Sequence, residues 1–222
     1  MKTENIFDQL ENNQLLEIAL QYGTPLYVYH GEKIEAQVAQ LKNAFRETNV
    51  RIKYACKALN NINILRLLRN AGAGVDAVSI HEVHLALKAG FTPDEILFTP
   101  NGVSFEEIKA GVDAGVHINI DNISMLERFG HTYGNSVPCC IRLNPHIVAG
   151  GNIHIQTGHI DSKFGISIHQ LRHVLRIVKS EKINVSGLHM HTGSDILDAE
   201  VFIRGAELLF EAAEDFPDLQ FI

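Results

Sequence analysis

A lysine at the end of a short alternating segment is the first residue whose type and position indicate chemistry. The segment Arg51–Lys57 reads RIKYACK, a pattern typical of a β-strand, and it stops at Lys57. A partly desolvated lysine amine loses its proton and can attack a carbonyl carbon to give a Schiff base. A lone lysine is more often an exposed surface residue, so the surrounding elements must decide between the two interpretations.

Polar residues also stand where each of the next five predicted strands ends. They are Asp76, Thr99, Asn101, Asp121, Arg142, Asn144, His189 and His191. In a parallel barrel the carboxyl ends of the strands share one rim, so these groups are expected to converge on Lys57. Two chemistries fit such a lysine. A class I aldolase uses it directly on a carbonyl substrate, and other enzymes use it to hold pyridoxal phosphate.

The segment Gly187–Asp195, GLHMHTGSD, favours the cofactor. His191 is suited to lie against an aromatic ring, and Gly193 and Ser194 can donate hydrogen bonds to a phosphate. A metal site is the competing interpretation, because His189 and His191 are spaced to share one side of a strand. Without a third ligand that completes a recognisable set, no metal is predicted.

The elements that must position these residues repeat with a regular period. Strand centres near Val75, Leu97, Ile118 and Ile141 lie about 22 residues apart, which is the length of one β/α unit with short loops. Strict alternation of strands and helices predicts parallel strands with right-handed crossovers. The regular period, without a Gly-rich dinucleotide motif, favours a (β/α)8 TIM barrel over a doubly wound sheet.

Seven barrel-type strands are predicted, and the seventh starts only at Leu219–Ile222. A barrel of this class needs eight strands to close, so we expect an incomplete barrel over residues 31–222, truncated after about seven strands. Pro25–His30, PLYVYH, is aromatic and β-branched and predicts one further strand ahead of the barrel.

Composition excludes several classes of function. The formal net charge is −7 and no basic cluster is present, which argues against a nucleic-acid partner. The three cysteines are odd in number and two are adjacent, which favours a reducing cytoplasm. The polar N-terminal segment predicts no secretory signal, and no apolar run is long enough to cross a membrane.

Four segments carry a family resemblance. YACKALNN at 54–61 resembles the lysine motif of fold type III pyridoxal phosphate decarboxylases, whose barrel is of the alanine racemase kind, and GAGVDAVSIHEV at 72–83 resembles the segment that follows it. RLNPHIVAGGNIHIQTGHIDSKFGIS at 142–167 and GLHMHTGSD at 187–195 are similar to segments of the diaminopimelate decarboxylases. The match is collinear from about residue 24 to the last residue.

The resemblance implies a role for each candidate residue. Lys57 would carry the cofactor as a Schiff base, and His191 would stack on the pyridine ring. Ser194 would contact the phosphate, and Asp76 and Arg142 would line the cofactor pocket. Catalytic roles fall on Lys57 and His191.

The resemblance also implies an organisation. Residues 1–30 would pack on a β-rich C-terminal domain of a homodimeric protein, and Lys163 would lie near the dimer interface. The family has a glycine-rich phosphate loop, a glutamate for the ring nitrogen and that β domain beyond the matched segments. The 222 residues are therefore expected to be an N-terminal portion, inactive alone.

The implied activity is decarboxylation of meso-2,6-diaminopimelate to L-lysine, the last step of lysine biosynthesis. Two alternatives remain open at this point. One is a related decarboxylase acting on ornithine, lysine or carboxynorspermidine, and the other is a non-catalytic barrel that only carries pyridoxal phosphate.

Overall fold

Helices and short strands alternate along the chain from Lys53 onward in the computed structural model, which describes residues 11–147, 164–193 and 196–222. The helices are α1 (Asn12–Tyr22), α2 (Gly31–Ala44), α3 (Ile62–Asn70), α4 (Ile80–Ala89), α5 (Phe105–Asp113), α6 (Ile123–Tyr133), α7 (Leu171–Glu181) and α8 (Ala199–Ala213). The strands are β1 (Lys53–Ala55), β2 (Gly74–Ala77), β3 (Ile96–Phe98), β4 (His117–Ile120), β5 (Cys139–Asn144), β6 (Ile166–Ser167) and β7 (Val185–Met190). Among these described helices, none has both the length and the apolar character needed to cross a membrane.

The strands form one parallel sheet. Neighbours follow chain order from β1 to β5, and β5 also pairs with the two-residue β6 and with β7. After α8 the chain returns to the sheet, where Phe221 forms a parallel bridge with Gly187 of β7. The predicted parallel β/α alternation is confirmed, and Phe221 lies where the seventh barrel-type strand was expected. The sequence pattern does not predict β6.

Alternate residues of each strand face the helices and build the core. In β2, Val75 and Ala77 are buried in the main hydrophobic cluster, while Asp76 between them points to the other side of the sheet. Phe98 of β3 is fully buried, and α5 approaches it closely at Gly111, where a Cβ atom would lie 2.8 Å from Phe98 Cδ1. The side of the sheet away from the helices is thereby left for polar residues.

Hydrogen bonds at the start of α4 connect that helix to the end of β2. The Ser79 hydroxyl accepts a hydrogen bond from the Glu82 backbone N–H at 3.2 Å. The buried Glu82 carboxylate accepts from the Val78 backbone N–H at 2.8 Å. The first of these bonds satisfies a donor that a helix start leaves free, and the second fixes the chain between the end of β2 and α4.

The segment Pro25–His30 is not a strand, so that prediction is wrong. Its residues have no sheet partner among the described residues, and Tyr27 is 89% exposed. The aromatic and β-branched pattern gives only a tendency, because a strand forms by pairing with a neighbour. Helix α1 likewise buries none of its residues. The predicted boundary between 1–30 and 31–222 stays a prediction, and residues 1–10 lie outside the described part.

Truncating Phe98 tests the packing of this core. Phe98→Ala should lower the free energy of unfolding by about 3–5 kcal/mol, because it removes a fully buried ring and leaves a cavity. The matched control is Phe210→Ala on α8, where the side chain is 61% exposed and a change within about 0.5 kcal/mol is expected. Urea unfolding followed by circular dichroism measures both. Equal losses in the two variants would contradict the assignment of the core.

Candidate active site

Lys57 lies just beyond the end of β1. The strand spans Lys53–Ala55, and a 3-10 turn follows at Cys56–Ala58. The predicted strand Arg51–Lys57 is therefore longer than the observed one, because the Leu59 N–H closes the turn on the Cys56 carbonyl at 3.1 Å. The Tyr54 hydroxyl donates to the Leu59 carbonyl at 3.2 Å and holds the turn against the strand. The Lys57 side chain is exposed at the carboxyl edge of the sheet.

Asp76 lies next to this turn on β2, paired in register with Ala55. Its Oδ1 accepts a hydrogen bond from the Thr99 hydroxyl at 2.5 Å. Burial raises the pKa of Asp76, while the Thr99 hydrogen bond and the positive charges of Arg142 and Lys57 act against that rise. Asp76 and Lys57 are therefore close enough to influence each other, as the sequence predicts.

Arg142 is the buried cation of the site. It lies on β5 with 6% of its surface exposed, and its guanidinium carbon is 5.1 Å from the centre of the Phe164 ring. Burial lowers the pKa of Arg142, and the negative charges of Asp121 and Asp76 oppose that change. A buried charge is costly unless it is compensated, and these two carboxylates supply the compensation.

Asp121 is held by two asparagine side chains. Asn101 Nδ2 donates to Asp121 Oδ2 at 2.5 Å, and Asn122 Nδ2 donates to Oδ1 at 2.9 Å. Both carboxylate oxygens are thus hydrogen-bonded. The carboxylate keeps a fixed orientation near Arg142.

His189, in β7, and His191, directly after β7, are both uncharged at neutral pH. Burial lowers the pKa of His189 to about 3, with Arg142 and His191 adding to the effect. Burial lowers the pKa of His191 to about 4, and the charges of Arg142 and Lys57 contribute. A neutral imidazole is the form that can stack on an electron-poor ring without bringing a further positive charge beside Arg142 and Lys57. His189 Nδ1 is buried and has no hydrogen-bond partner in the described part of the chain.

Four of the five predicted site residues therefore come together at one edge of the sheet: Lys57, Asp76, Arg142 and His191. The fifth, Ser194, lies outside the described residues, as does Lys163. Within residues 11–147, 164–193 and 196–222 no group of three or more His, Cys, Asp or Glu side chains is placed to hold a metal ion.

Residues 31–219 match the family model described as pyridoxal-dependent decarboxylase, pyridoxal binding domain. The chain belongs to this family. The family that the sequence motifs predict is thereby confirmed, and Lys57, Asp76, Arg142 and His191 all lie within the matched pyridoxal binding domain.

Curated relatives of this pyridoxal binding domain are diaminopimelate decarboxylases. The protein of Methanothermobacter thermautotrophicus is 38% identical over 200 residues, which cover 89% of this chain and 47% of that protein. The protein of Bacillus subtilis is 33% identical over 212 residues, which cover 91% of this chain and 48% of that protein. The chain spans about half the length of the curated relatives that it matches.

Solved structures agree with the family and with the barrel architecture. A diaminopimelate decarboxylase of Helicobacter pylori complexed with L-lysine superposes with a TM-score of 0.86 at 30% identity, covering 93% of this chain and 55% of that one. A lysine/ornithine decarboxylase of Vibrio vulnificus complexed with putrescine gives a TM-score of 0.79 at 25% identity, covering 93% and 54%. The fold expected from the sequence, an alanine racemase-like β/α barrel of which this chain forms about seven strands, is confirmed.

Asn119 is the residue of this domain that the sequence reasoning missed. It is 1% exposed on β4, between the buried residues Ile118 and Ile120, and its Nδ2 donates to the Thr99 hydroxyl at 3.4 Å. The signal was present in the segment HINI, because a polar residue between two core positions of a strand must face the other side of the sheet. The prediction for this strand named only Asp121, two residues further along the chain.

The charges around His191 can be tested by titration. In the wild-type chain we expect the His191 imidazole to protonate near pH 4. Arg142→Gln and Lys57→Met should each move that midpoint upward, by roughly one pH unit for the arginine, because each removes a positive charge that disfavours the imidazolium. Imidazole 15N chemical shifts measure the midpoint. Arg172→Gln, an exposed site on α7, is the control, and an equal shift there would refute the proposed proximity.

Proposed function

We propose that this chain is the pyridoxal phosphate-binding part of a decarboxylase that converts meso-2,6-diaminopimelate to L-lysine. The single observation that supports it best is the convergence of Lys57, Asp76, Arg142 and His191 at the carboxyl edge of the sheet. That edge is where parallel β/α folds place their active sites. The curated diaminopimelate decarboxylases that match the chain support the choice of substrate.

The residues at this edge fit the chemical groups of pyridoxal phosphate. The cofactor presents an aldehyde, a flat ring and polar substituents. The edge offers an exposed amine on Lys57, a neutral imidazole on His191 and a compensated cation on Arg142. It also has a buried polar atom without a partner in the described part of the chain, His189 Nδ1. Hydrogen-bonding capacity that the protein leaves unused is what a polar ligand would satisfy.

Each residue has a role in the proposal. Lys57 Nζ would hold the cofactor covalently and, once the substrate amine has displaced it, would donate a proton to the carbon that has lost carbon dioxide. His191 supports one face of the ring, and Asp76 and Arg142 line the pocket with opposite charges. Ser194 contacts the phosphate on the strength of the sequence motif. When bound, pyridoxal phosphate supplies an electron sink for the electron pair left behind as carbon dioxide departs.

The organisation of the protein is part of the same proposal. Residues 31–222 form the barrel part, and residues 1–30 pack against a separate β-rich domain. The protein acts as a cytoplasmic homodimer without nucleic-acid or membrane partners. Support for the cytoplasm comes from Cys56, Cys139 and Cys140, all of which are free thiols.

Lys57 can be tested directly by chemical trapping. Mixing the chain with pyridoxal 5'-phosphate should give an absorption band near the visible edge, and borohydride reduction should leave the label on Lys57. Lys57→Arg keeps the charge but cannot form the Schiff base, so the band and the label should disappear. Lys88→Arg, an exposed lysine change on α4, should behave as wild type. A band that survives in Lys57→Arg, or a label on another lysine, would overturn the assignment.

The substrate is tested with the longest form of the protein that its gene encodes. Release of carbon dioxide should be at least tenfold faster, in kcat/KM, with meso-diaminopimelate than with ornithine, lysine or arginine, since a site built for a polar group rejects analogues that lack it. Chromatography of the amine products measures each reaction. Preference for ornithine or lysine would identify a related decarboxylase instead. Cofactor binding without any decarboxylation would indicate a carrier protein.

A further inference from the structure

A buried relay of three hydrogen-bonded residues, Asn119, Thr99 and Asp76, connects three neighbouring strands below the candidate active site. Asn119 Nδ2 on β4 donates to the Thr99 hydroxyl just after β3, at 3.4 Å. The Thr99 hydroxyl donates to Asp76 Oδ1 on β2, at 2.5 Å. Asn119 and Thr99 are both almost completely buried. Asp76 is the only one of the three that carries a charge.

The direction of the hydrogen bonds in this relay follows from the number of protons that each side chain can donate. A threonine hydroxyl has one proton to donate, although it can accept further hydrogen bonds. That proton goes to the Asp76 carboxylate, so the same oxygen must accept from its other neighbour. Only the amide Nδ2 of Asn119 can donate, which fixes the orientation of the Asn119 side chain. Its Oδ1 is then turned away and has no hydrogen-bond partner in the described part of the chain.

A purely structural role does not account for Asn119. A buried amide with an unpaired oxygen destabilises the fold relative to an apolar side chain of similar size. This side of the sheet also holds buried apolar residues. Leu97 is buried on β3, on the same side as Thr99. Cys140 is buried on β5 and pairs in register with Asn119. The amide is therefore better explained by what it does to Thr99 and Asp76.

We propose that Asn119 is a positioning residue that, through Thr99, holds the Asp76 carboxylate in the orientation required beside Lys57 and Arg142. This inference rests on the proposed function, in which Asp76 lines the cofactor pocket. Asn119 supplies a donor to the Thr99 oxygen, so the Thr99 proton remains committed to Asp76 Oδ1. The second carboxylate oxygen of Asp76 is left to act in the site.

The charge state of Asp76 reports on its hydrogen bond from Thr99. Several other groups also act on Asp76, so the test must leave them unchanged. Apart from the Thr99 hydrogen bond, the pKa of Asp76 depends on burial and on charged or titratable neighbours from the elements around it. These are Lys57 and Cys56 after β1, Lys53 on β1, Glu82 on α4, and Cys140 and Arg142 on β5. Substitutions at Thr99 and Asn119 leave all six of these groups in place, so a changed titration of Asp76 isolates the relay.

The experiment is a carboxyl 13C NMR titration of the full 222-residue chain, labelled at aspartate and free of cofactor, with Asp76 identified by Asp76→Asn. Thr99→Val should raise the Asp76 midpoint by roughly one pH unit, because a hydrogen bond to the charged form is lost. Asn119→Ala should raise it by a smaller amount. Asn119→Asp should raise it at least as far as Thr99→Val, since the new carboxylate accepts the Thr99 proton and repels Asp76. Thr99→Ser should restore the wild-type midpoint.

Thr132→Val is the matched control, because that exposed hydroxyl donates only to the Arg128 carbonyl, away from the site. Its Asp76 midpoint should equal that of the wild type. An unchanged Asp76 midpoint in both Asn119→Ala and Asn119→Asp would overturn the proposal. Borohydride labelling of Lys57 is measured in parallel on the same variants. A shifted titration with no labelling of the wild type would refute the proposed function while leaving the relay intact.

Discussion

The register of the parallel sheet is the constraint on which the site depends. Ala55 pairs with Asp76, and Asp76 pairs with Leu97, so the carboxyl ends of β1, β2 and β3 meet at one edge. Side chains alternate along a strand, and a slip of one residue would exchange the two faces. Val75 would then enter the polar site and Asp76 would enter the core. The apolar packing of Val75 and Ala77 against the helices therefore also fixes where the Asp76 carboxylate lies.

Electrostatic compensation allows the edge to hold so many buried polar groups. Burial alone disfavours the charged forms of Asp76 and Arg142. The charge of Arg142 stabilises the Asp76 carboxylate, and the charge of Asp76 stabilises the Arg142 guanidinium. Asp121 adds a second carboxylate whose oxygens are both occupied by asparagine amides. The neutral state of His189 and His191 keeps further positive charge away from Arg142. The result is a set of fixed charges that need little rearrangement when a polar ligand arrives.

The parts of this arrangement that follow a local period are the parts that could be predicted. The regular spacing of strands and helices predicted Asp76 and Arg142 at strand ends, and the structure has them in the carboxyl halves of β2 and β5. The motif around Lys57 indicated the family. Pairing over long distances is not visible in a local pattern. The two residues of β6 are too few to show alternation. They form a strand because Ile166 pairs with Leu143, which is distant in sequence. Pro25–His30 shows the opposite error, a strand-like pattern with no partner in the described part of the chain. Asn119 has the same place in β4 as Asp76 has in β2, the third of four residues, but its hydrogen bond to Thr99, just after the neighbouring strand, is not visible in a local pattern.

Lys53 and Lys57 show how the fold assigns chemistry that residue type cannot. The two lysines are separated by three residues at opposite ends of β1. At the amino end, Lys53 donates to the Glu95 carbonyl at 3.0 Å and is half-buried, and burial and the charge of Arg51 lower its pKa. A lowered lysine pKa would, by itself, make Lys53 the better candidate nucleophile. Its amine is nevertheless occupied by a backbone carbonyl at the edge of the sheet away from the polar rim. Lys57 is exposed at the carboxyl edge, where its charge acts on both Asp76 and His191. The polarity of the parallel sheet, which brings every carboxyl end to one side, therefore decides which of the two lysines lies beside Asp76 and His191 at the polar rim.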